Sequence, residues 1–417
     1  MPVFSQRSAA LLCAFTLGLP FAAHSGERWA TSWYASPQPV WGADFLLPTG
    51  VPGALDDETV CESLRLSAGG TRLRLVYSNR YGSAPVALGA ARVGPASTTG
   101  QAVTFGGQPG VVIAPGAQVT SDPVALAVAP LSTLTVSSYF PRHTPVTTFH
   151  WGGQQTLAIA AGNRTAAAPL VHGTQVNGRL FLAGVLVETA GTPRTVVTLG
   201  DSITDGNGST PDRNRRWPDV LAERLAPHGV AVANAGISGA RLLHDGMGER
   251  AMARLGADVL EQPGVTNLVV LLGTNDIGWP GSPFAPGEPM TTLAQLQAGF
   301  RQVIAAAHAR GVRVTGGTLP PFEHALEGTP YAGHYSPEKE ALRQRLNDWI
   351  RLGAAFDAVV DFDAVLRDPA RPQRMKGNYD SGDHLHPGDA GYRAMAAAVV
   401  IGALQAQDRE AAVVPRP

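Results

Sequence analysis

The chain has 417 residues, more than one domain usually holds and enough for two. Its hydrophobic share of 44% and charged share of 16% are typical of a globular protein and exclude a disordered one. The formal net charge of −1 provides no basic surface that would attract nucleic acid, so no nucleic-acid partner is expected.

The first 25 residues have the pattern of an export signal. Arg7 supplies a positive charge, and residues 9–23 are mostly apolar but too few to remain as a membrane anchor. Small residues precede Gly26, where we expect cleavage. We therefore predict a signal peptide at 1–25 and a secreted or periplasmic protein without stable membrane insertion; the alternative is a buried N-terminal helix. Cys61 is then the only cysteine of the mature chain, which predicts neither an internal disulfide nor a thiolate metal cluster.

Between residues 26 and 190 the apolar residues recur with a period of two, and turn-forming residues interrupt them at short intervals. This pattern predicts an all-β domain, a sandwich or jelly roll, with no helical stretch. Residues 64–66 and 73–75 alternate apolar and charged side chains around Gly69-Gly70, which predicts a hairpin. The other predicted strands are 86–88, 111–113, 131–139 and 180–187.

From residue 191 to residue 408, predicted strands alternate with predicted helices. Five strands in this arrangement predict a parallel, doubly wound α/β sheet, because each parallel crossover needs a helix to cover a face of the sheet. Residues 409–417 are predicted to be a flexible tail. The predicted strands are 195–199, 230–234, 267–272, 312–315 and 358–361. The predicted helices are 293–304 with Gly311 as C-terminal cap, one that begins with Ser336 as N-cap and Pro337 as first residue, and 389–405.

Polar segments follow three of these strands and precede the last helix. They are Gly200-Asp201-Ser202, residues 234–239, Gly273-Thr274-Asn275-Asp276 and residues 383–387. Because the carboxyl ends of parallel strands meet at one edge of the sheet, we expect these segments to converge there.

The residue types at this edge predict nucleophilic catalysis. A serine such as Ser202 is a weak nucleophile and needs a base. A histidine base needs a carboxylate to hold its tautomer, and Asp383 and His386 are close enough in the chain to meet. The backbone N–H groups of Ser202 and Gly239 and the side-chain amide of Asn275 are candidate oxyanion donors. Glycine at 239 is expected to allow close approach of the substrate.

In order and spacing, the four segments resemble the blocks of the SGNH (GDSL) hydrolase superfamily. The resemblance covers roughly residues 195–405 and implies a flavodoxin-like, three-layer αβα fold and ester hydrolysis. It implies that Ser202 is the nucleophile, His386 the base and Asp383 its orienting partner. It also implies an oxyanion hole formed by Ser202, Gly239 and Asn275. No cofactor and no metal are predicted. The blocks are Gly200-Asp201-Ser202-Ile203, Gly239, Gly273-Thr274-Asn275-Asp276 and Asp383-x-x-His386-Pro387.

The first half also resembles a known group. Residues 29–33 and the strand series that follows are similar to the β-rich N-terminal region of a secreted two-domain subgroup of this superfamily. Members of that subgroup often have another residue pair where this chain has Gly273-Thr274. The substrate of the subgroup is therefore not carried over to this chain.

Each candidate residue also has a simpler interpretation. Ser202 could be the N-cap of the next helix, and Asn275 with Asp276 could be ordinary turn residues. His384 and His386 with neighbouring aspartates could form a metal cluster, and His384 could replace His386 as the base. Asp201 and Asp205 are interpreted as carboxylates that order a loop. The histidines without an assigned partner are His143, His150, His172, His228, His244, His308, His324 and His334. The tryptophans Trp29, Trp33, Trp41 and Trp151 could form a sugar-stacking face or belong to the core.

Two classes of function remain open. The first is a secreted serine esterase that removes short acyl groups, acetyl on a polysaccharide being the favoured case. Within this chemistry the alternative is a lipase, arylesterase or thioesterase that acts on longer acyl chains. The second class is a non-catalytic, carbohydrate-binding surface protein. The expected partner is a small-molecule ester or an acylated glycan.

Overall fold

A computed structural model describes residues 28–95, 98–167 and 173–405. The predicted signal peptide (1–25) and the predicted tail (409–417) lie outside these residues. Within the described ranges, no helix combines the length and the apolar character that crossing a bilayer requires.

The first part of the described chain, residues 28–190, is called the β half below. Its apolar side chains alternate along the strands because one face of each sheet is buried. Its strands are β1 (Trp29–Tyr34), β2 (Gln38–Pro39), β3 (Ala54–Leu55), β4 (Glu58–Arg65), β5 (Leu73–Ser78), β6 (Val86–Leu88), β7 (Ala90–Pro95), β8 (Gln101–Val103), β9 (Val111–Ile113), β10 (Gln118–Thr120), β11 (Thr133–Phe140), β12 (Thr144–Pro145), β13 (Thr148–Ala161), β14 (Thr174–Leu180) and β15 (Leu182–Glu188).

Two large antiparallel sheets form most of the β half, and the pairs β3-β12 and β6-β9 add two small ones. One large sheet has the strand order β1-β15-β5-β10, and the other has the order β14-β13-β4-β11-β7-β8 with β2 added to β13. A shared core of buried side chains, among them Leu75 and Val185 from the first sheet and Leu64 and Val136 from the second, joins their inner faces. This arrangement confirms the predicted β-rich, sandwich-like architecture.

The predicted hairpin around Gly69-Gly70 is wrong. β4 pairs with β11 and β13, whereas β5 pairs with β10 and β15 in the other sheet. Gly70 instead exchanges backbone hydrogen bonds of 3.0 and 2.9 Å with Val128. A Cβ atom on Gly69 would lie 2.5 Å from the carbonyl oxygen of Val128. The two glycines therefore permit a close approach of two backbones on the way from one sheet to the other.

The predicted strand 180–187 is also divided between the sheets. β14 ends at Leu180, and β15 begins at Leu182 in the opposite sheet. Phe181 between them has a φ of +61°, which breaks the extended backbone. The buried side chains on both sides of this break gave the sequence the pattern of one continuous strand.

The second part, residues 191–405, is called the α/β half below. Its sheet is wholly parallel, with the order β17-β16-β18-β19-β20, which confirms the predicted doubly wound α/β fold. Its strands are β16 (Thr195–Gly200), β17 (Ala231–Gly236), β18 (Val265–Leu271), β19 (Arg313–Gly317), β20 (Ala358–Val360), β21 (Arg367–Asp368) and β22 (Arg371–Met375). Its helices are α1 (Ser202–Asp205), α2 (Trp217–Leu225), α3 (Ala251–Leu255), α4 (Thr274–Gly278), α5 (Leu293–His308), α6 (Pro337–Leu352), α7 (Phe362–Leu366), α8 (Asp389–Ala398) and α9 (Ile401–Gln405).

The observed helix ends agree with the predicted ones in two cases and differ from the prediction in a third. Ser336 caps α6 by accepting a hydrogen bond from the N–H of Lys339, as predicted. Helix α5 ends at His308, and Gly311 follows in the left-handed conformation. The predicted helix 389–405 is wrong, because an extended residue, Val399, separates α8 from α9. Arg224 donates to carbonyl oxygens at this break and stabilises it.

The two halves are in direct contact beside β17. The hydroxyl of Ser67 accepts the N–H of Val232 at 2.9 Å, and the phenol of Tyr34 donates to Asp258 at 2.9 Å. Gln38 donates to the carbonyl oxygen of Met247 at 2.7 Å. The last two contacts hold the end of β1 and strand β2 against the segments that follow β17. The boundary that we place at residue 190 stays a prediction; the antiparallel strands end at Glu188.

Candidate active site

Ser202 lies where β16, the second strand of the parallel sheet, turns into the short helix α1. Its neighbour Asp201 is the N-cap and accepts a hydrogen bond from the N–H of Ile203 at 3.0 Å. Ser202 is the first residue of the helix and not its cap, so the capping interpretation of Ser202 is wrong. A Cβ atom on Gly200 would lie 2.0 Å from the hydroxyl of Thr204, so only glycine permits this tight strand-to-helix turn.

Three of the predicted residues are joined by hydrogen bonds. The Oγ of Ser202 lies 2.8 Å from Nε2 of His386, and Nδ1 of His386 lies 2.6 Å from Oδ2 of Asp383. Ser202 and His386 keep only 7% and 9% of their surface exposed, so water competes little for this contact. With Nδ1 as the donor to the carboxylate, the lone pair of Nε2 faces the serine hydroxyl.

The environment of Asp383 keeps its carboxyl group ionised. Burial alone would raise the pKa of Asp383, but His386 and the N–H groups of Leu385 and His386 hold that pKa well below its usual range. A carboxylate at this position fixes the ring orientation of His386 and stabilises the imidazolium when the ring takes up a proton.

Gly239 has a φ of +71°, which favours glycine. A Cβ atom there would lie 2.5 Å from the sulfur of Met247 and 3.0 Å from Cζ2 of Trp279. The missing side chain therefore makes room for Met247 and Trp279; the close approach of the substrate at Gly239 stays a prediction.

Asn275 and Asp276 hold the loop after Gly239 against α4. The amide of Asn275 donates to the carbonyl oxygen of Ala240 at 3.0 Å, which uses one of its two N–H groups. The carboxylate of Asp276 accepts from the N–H groups of Leu242 and Leu243 at 2.7 and 2.9 Å. Both residues sit in α4 rather than in an ordinary turn, and both are buried.

The two histidines of the last block have different partners. Nδ1 of His384 lies 2.6 Å from Asp380, whereas His386 contacts Asp383 and Ser202. Side-chain exposure is 49% for His384 and 11% for His386, so the ring of His384 is exposed and that of His386 is largely buried. Among the described residues, no three or more His, Cys, Asp or Glu side chains form a group that could hold a metal ion.

His150, for which the sequence predicts no partner, is buried beside the predicted site. Its Nε2 lies 3.0 Å from Oδ1 of Asp205, and its Nδ1 lies 2.9 Å from the carbonyl oxygen of Ser36. The hydroxyl of Ser238, which precedes Gly239, donates to Oδ2 of Asp205 at 2.8 Å. Asp205 thus orders its loop as predicted. Its partner is a residue of the β half that is 55 positions earlier in the chain, and no local sequence pattern indicates that pairing.

The remaining histidines mostly have carboxylate neighbours. His143, His244, His308 and His324 lie within 4.0 Å of an acidic side chain, which corrects their prediction as residues without a partner. The carbonyl oxygen of His228 accepts from Arg194. His172 lies outside the described residues. The ring of His334 is buried, and burial lowers its pKa to about 3, so the ring is neutral.

Aromatic side chains from both halves form a continuous row next to Gly239. We call these side chains the aromatic row. The ring centres of successive contacting pairs along it are 6.0, 5.3, 6.2, 4.9 and 5.7 Å apart. Trp29 and Trp33, in contrast, are buried in β1, so these two cannot belong to a sugar-stacking face. The aromatic row consists of Trp151, Trp41, Phe45, Phe284, Trp279 and Tyr331, with Phe284 in contact with both of the last two.

Comparison with known proteins finds similarity in the α/β half. Residues 198–394 match the GDSL-like lipase/acylhydrolase family. No curated protein matches the chain. The solved structures that it resembles include an aryl esterase from M. smegmatis (18% identity, 51% of this chain, 97% of that chain, TM-score 0.39). A GDSL-like lipase from Bacteroides thetaiotaomicron is 18% identical, with 51% of this chain and 88% of that chain covered and a TM-score of 0.37. A carbohydrate acetylesterase family member from Sinorhizobium meliloti is 20% identical, with 49% of this chain and 94% of that chain covered and a TM-score of 0.38.

Proposed function

Residues 198–394 belong to the GDSL-like lipase/acylhydrolase family, and the chain is accordingly a carboxylic ester hydrolase; from this premise we propose that it is an exported serine esterase. Ser202 is the nucleophile, His386 the general base and Asp383 the carboxylate that orients it. The observation that carries this proposal is the hydrogen-bonded series from Ser202 Oγ through His386 to Asp383, at 2.8 and 2.6 Å.

The reaction follows from this geometry in two steps. Nε2 of His386 takes the proton of Ser202 as Oγ attacks the ester carbonyl carbon. The tetrahedral intermediate collapses, and the alcohol leaves with the proton that His386 returns. Water, deprotonated by the same nitrogen, then attacks the acyl-enzyme and releases the carboxylic acid and free Ser202.

The negative oxygen of each tetrahedral intermediate needs donors that are fixed in advance. We assign this role to the N–H groups of Ser202 and Gly239 and to the side chain of Asn275. The N–H of Ser202 is at the first position of α1, where a helix leaves its backbone donors unpaired. Asn275 retains a second amide N–H beyond the one that contacts Ala240.

The favoured substrate is an ester of a short acyl group, in particular acetyl on a polysaccharide. The aromatic row supports a flat ligand group beside Gly239, because aromatic side chains stack on sugar rings and on other rings. An arylesterase, lipase or thioesterase that acts on a longer acyl chain is the alternative. A series of p-nitrophenyl esters of increasing acyl length distinguishes them: the proposal expects a maximum at two to four carbons, and a maximum at eight or more favours the alternative.

The decisive test is the activity of Ser202→Ala. Ester hydrolysis by the purified protein should disappear in this variant, with a loss in kcat of about 10⁴-fold or more. Ser209→Ala is the matched control, since Ser209 is a buried serine in the same segment whose hydroxyl donates only to the carbonyl oxygen of Gly206. Wild-type activity in Ser202→Ala would remove Ser202 as the nucleophile and overturn the proposal. No hydrolysis of any ester by the native protein would favour a non-catalytic carbohydrate-binding protein.

Export is the remaining element of the proposal. It is supported by Arg7 and the short apolar stretch at 9–23. Mass spectrometry of the protein recovered from outside the cytoplasm should give an N-terminus at Gly26. A product that retains residue 1 would contradict the export signal and leave the esterase proposal intact.

A further inference from the structure

We propose that His150 of the β half is a positioning residue for the oxyanion hole. It holds Asp205, and Asp205 in turn holds both ends of the proposed catalytic arrangement, the helix of Ser202 and the loop of Gly239. This inference rests on the proposed function, since it concerns the same site. It assigns to the β half a role in turnover that is independent of substrate binding.

Both ring nitrogens of His150 have a hydrogen-bond partner. Its Nδ1 lies 2.9 Å from the carbonyl oxygen of Ser36, which can only accept a hydrogen bond, so Nδ1 is the donor there. Its Nε2 lies 3.0 Å from Oδ1 of Asp205, and one proton lies between the ring and the carboxyl group. The two side chains are only 5% and 1% exposed, so water competes little for this contact.

Asp205 connects two segments that must keep a fixed distance. It is the last residue of α1, whose first residue is Ser202. Its other carboxylate oxygen accepts the hydroxyl of Ser238 at 2.8 Å, and Ser238 immediately precedes Gly239. A carboxylate fixed by His150 thus sets the position of the Gly239 N–H relative to the nucleophile. The positive charge of Arg216 also interacts with Asp205.

The backbone of the β half is shaped to reach this place. After His150, Gly152 and Gly153 have φ values of +77° and +63°, and β13 loses its register with β14 there. A Cβ atom on Gly152 would lie 3.9 Å from both Asp205 Oδ2 and Ser238 Oγ. The carbonyl oxygen of Gly153 accepts from Arg216 at 3.2 Å. This turn brings a residue of the sandwich into contact with the loops that carry the proposed chemistry.

The test is the pair His150→Phe and His150→Gln in the full chain, with p-nitrophenyl acetate as substrate. Phenylalanine removes both hydrogen-bonding ring nitrogens, so we expect kcat to fall about 10- to 100-fold while KM changes less than about threefold, because a misplaced oxyanion donor affects the transition state. Glutamine retains an N–H that can face Asp205 and should restore most of the loss. The affinity for a boronic acid that forms a tetrahedral adduct should fall by the same factor as kcat/KM.

His308→Phe is the matched control, because His308 also contacts an aspartate, Asp357 at 2.9 Å, but far from the site and half-exposed. It should leave kcat unchanged. Wild-type kcat in a folded His150→Phe variant, or a loss confined to KM, overturns the inference. If His150→Phe does not fold, Ser238→Ala decides: a lower kcat at constant KM supports the inference, and an unchanged kcat overturns it. Activity in Ser202→Ala would instead overturn the proposed function.

Discussion

The two halves of the molecule contribute to the candidate site in different ways. In the α/β half, each proposed catalytic group follows a strand or precedes a helix at one edge of the parallel sheet, so short sequence blocks indicate it. In the β half, the residues that reach the site come from an irregular turn inside the long strand β13 and from the segment after β1. The comparison suggests that one half carries the chemistry and that the other keeps it in position. Changes in the first half should therefore have the larger effects on turnover.

The largest expected effect after loss of the nucleophile is that of Asp383→Asn. The asparagine can still accept the backbone N–H groups of Leu385 and His386 through its oxygen. Its amide group, however, donates toward Nδ1 of His386 and turns the ring to the tautomer whose Nε2 cannot accept the serine proton. We expect kcat for p-nitrophenyl acetate to fall about 10⁴-fold with little change in KM.

Asp380→Asn is the control for that variant. Asp380 contacts His384 in the same way, at 2.6 Å, and accepts two backbone N–H groups, but it has no contact with Ser202. Its substitution should change kcat by less than about threefold, within the range of a surface ion pair. Equal losses in the two variants would mean that loop stability, and not the tautomer of His386, determines the rate.

A smaller effect is expected for Asn275→Ala. The variant removes one oxyanion donor, so kcat should fall about 10²- to 10³-fold while KM stays within a few-fold. Asn267→Ala removes a buried amide of the same half that donates to Leu404 at 3.1 Å, away from the site. Steady-state kinetics of both should show the loss in kcat only for Asn275→Ala. An unchanged kcat in that variant removes Asn275 from the oxyanion hole.

The sequence predicts the α/β half better than the β half, and the reason is physical. A parallel sheet brings the ends of its strands together, so the positions of Ser202, Asn275 and His386 in the chain predict their meeting. A period of two identifies which face of a strand is buried but not which strand lies beside it, so the pairing of β4 with β5 was wrong. The contact of His150 with Asp205 depends on how the halves pack, and no periodic pattern encodes it.

The smallest effect on turnover and a distinct effect on stability are expected for Asp201→Asn. Burial raises the pKa of Asp201 to about 7, although the N–H of Ile203 and the charge of His386 oppose that rise. Between the ordinary pKa and this value the folded chain binds a proton that the unfolded chain lacks. The free energy of unfolding therefore falls with rising pH, by up to about 1.4 kcal/mol per pH unit. Asparagine keeps an oxygen for the N-cap and cannot titrate, so kcat should change less than about fivefold.

Denaturant unfolding at about pH 5 and about pH 8 measures this difference. Relative to the wild type, Asp201→Asn should be more stable at the higher pH than at the lower one, because only the wild type loses the bound proton between them. Asp276→Asn is the contrasting variant: both oxygens of Asp276 accept backbone N–H groups, so an amide there loses one hydrogen bond and should destabilise the protein at both pH values. If the free energy of unfolding of Asp201→Asn differs from that of the wild type by the same amount at both pH values, Asp201 is ionised in the folded protein throughout this range. The Gly-Asp-Ser turn would then hold a buried negative charge directly before its nucleophile.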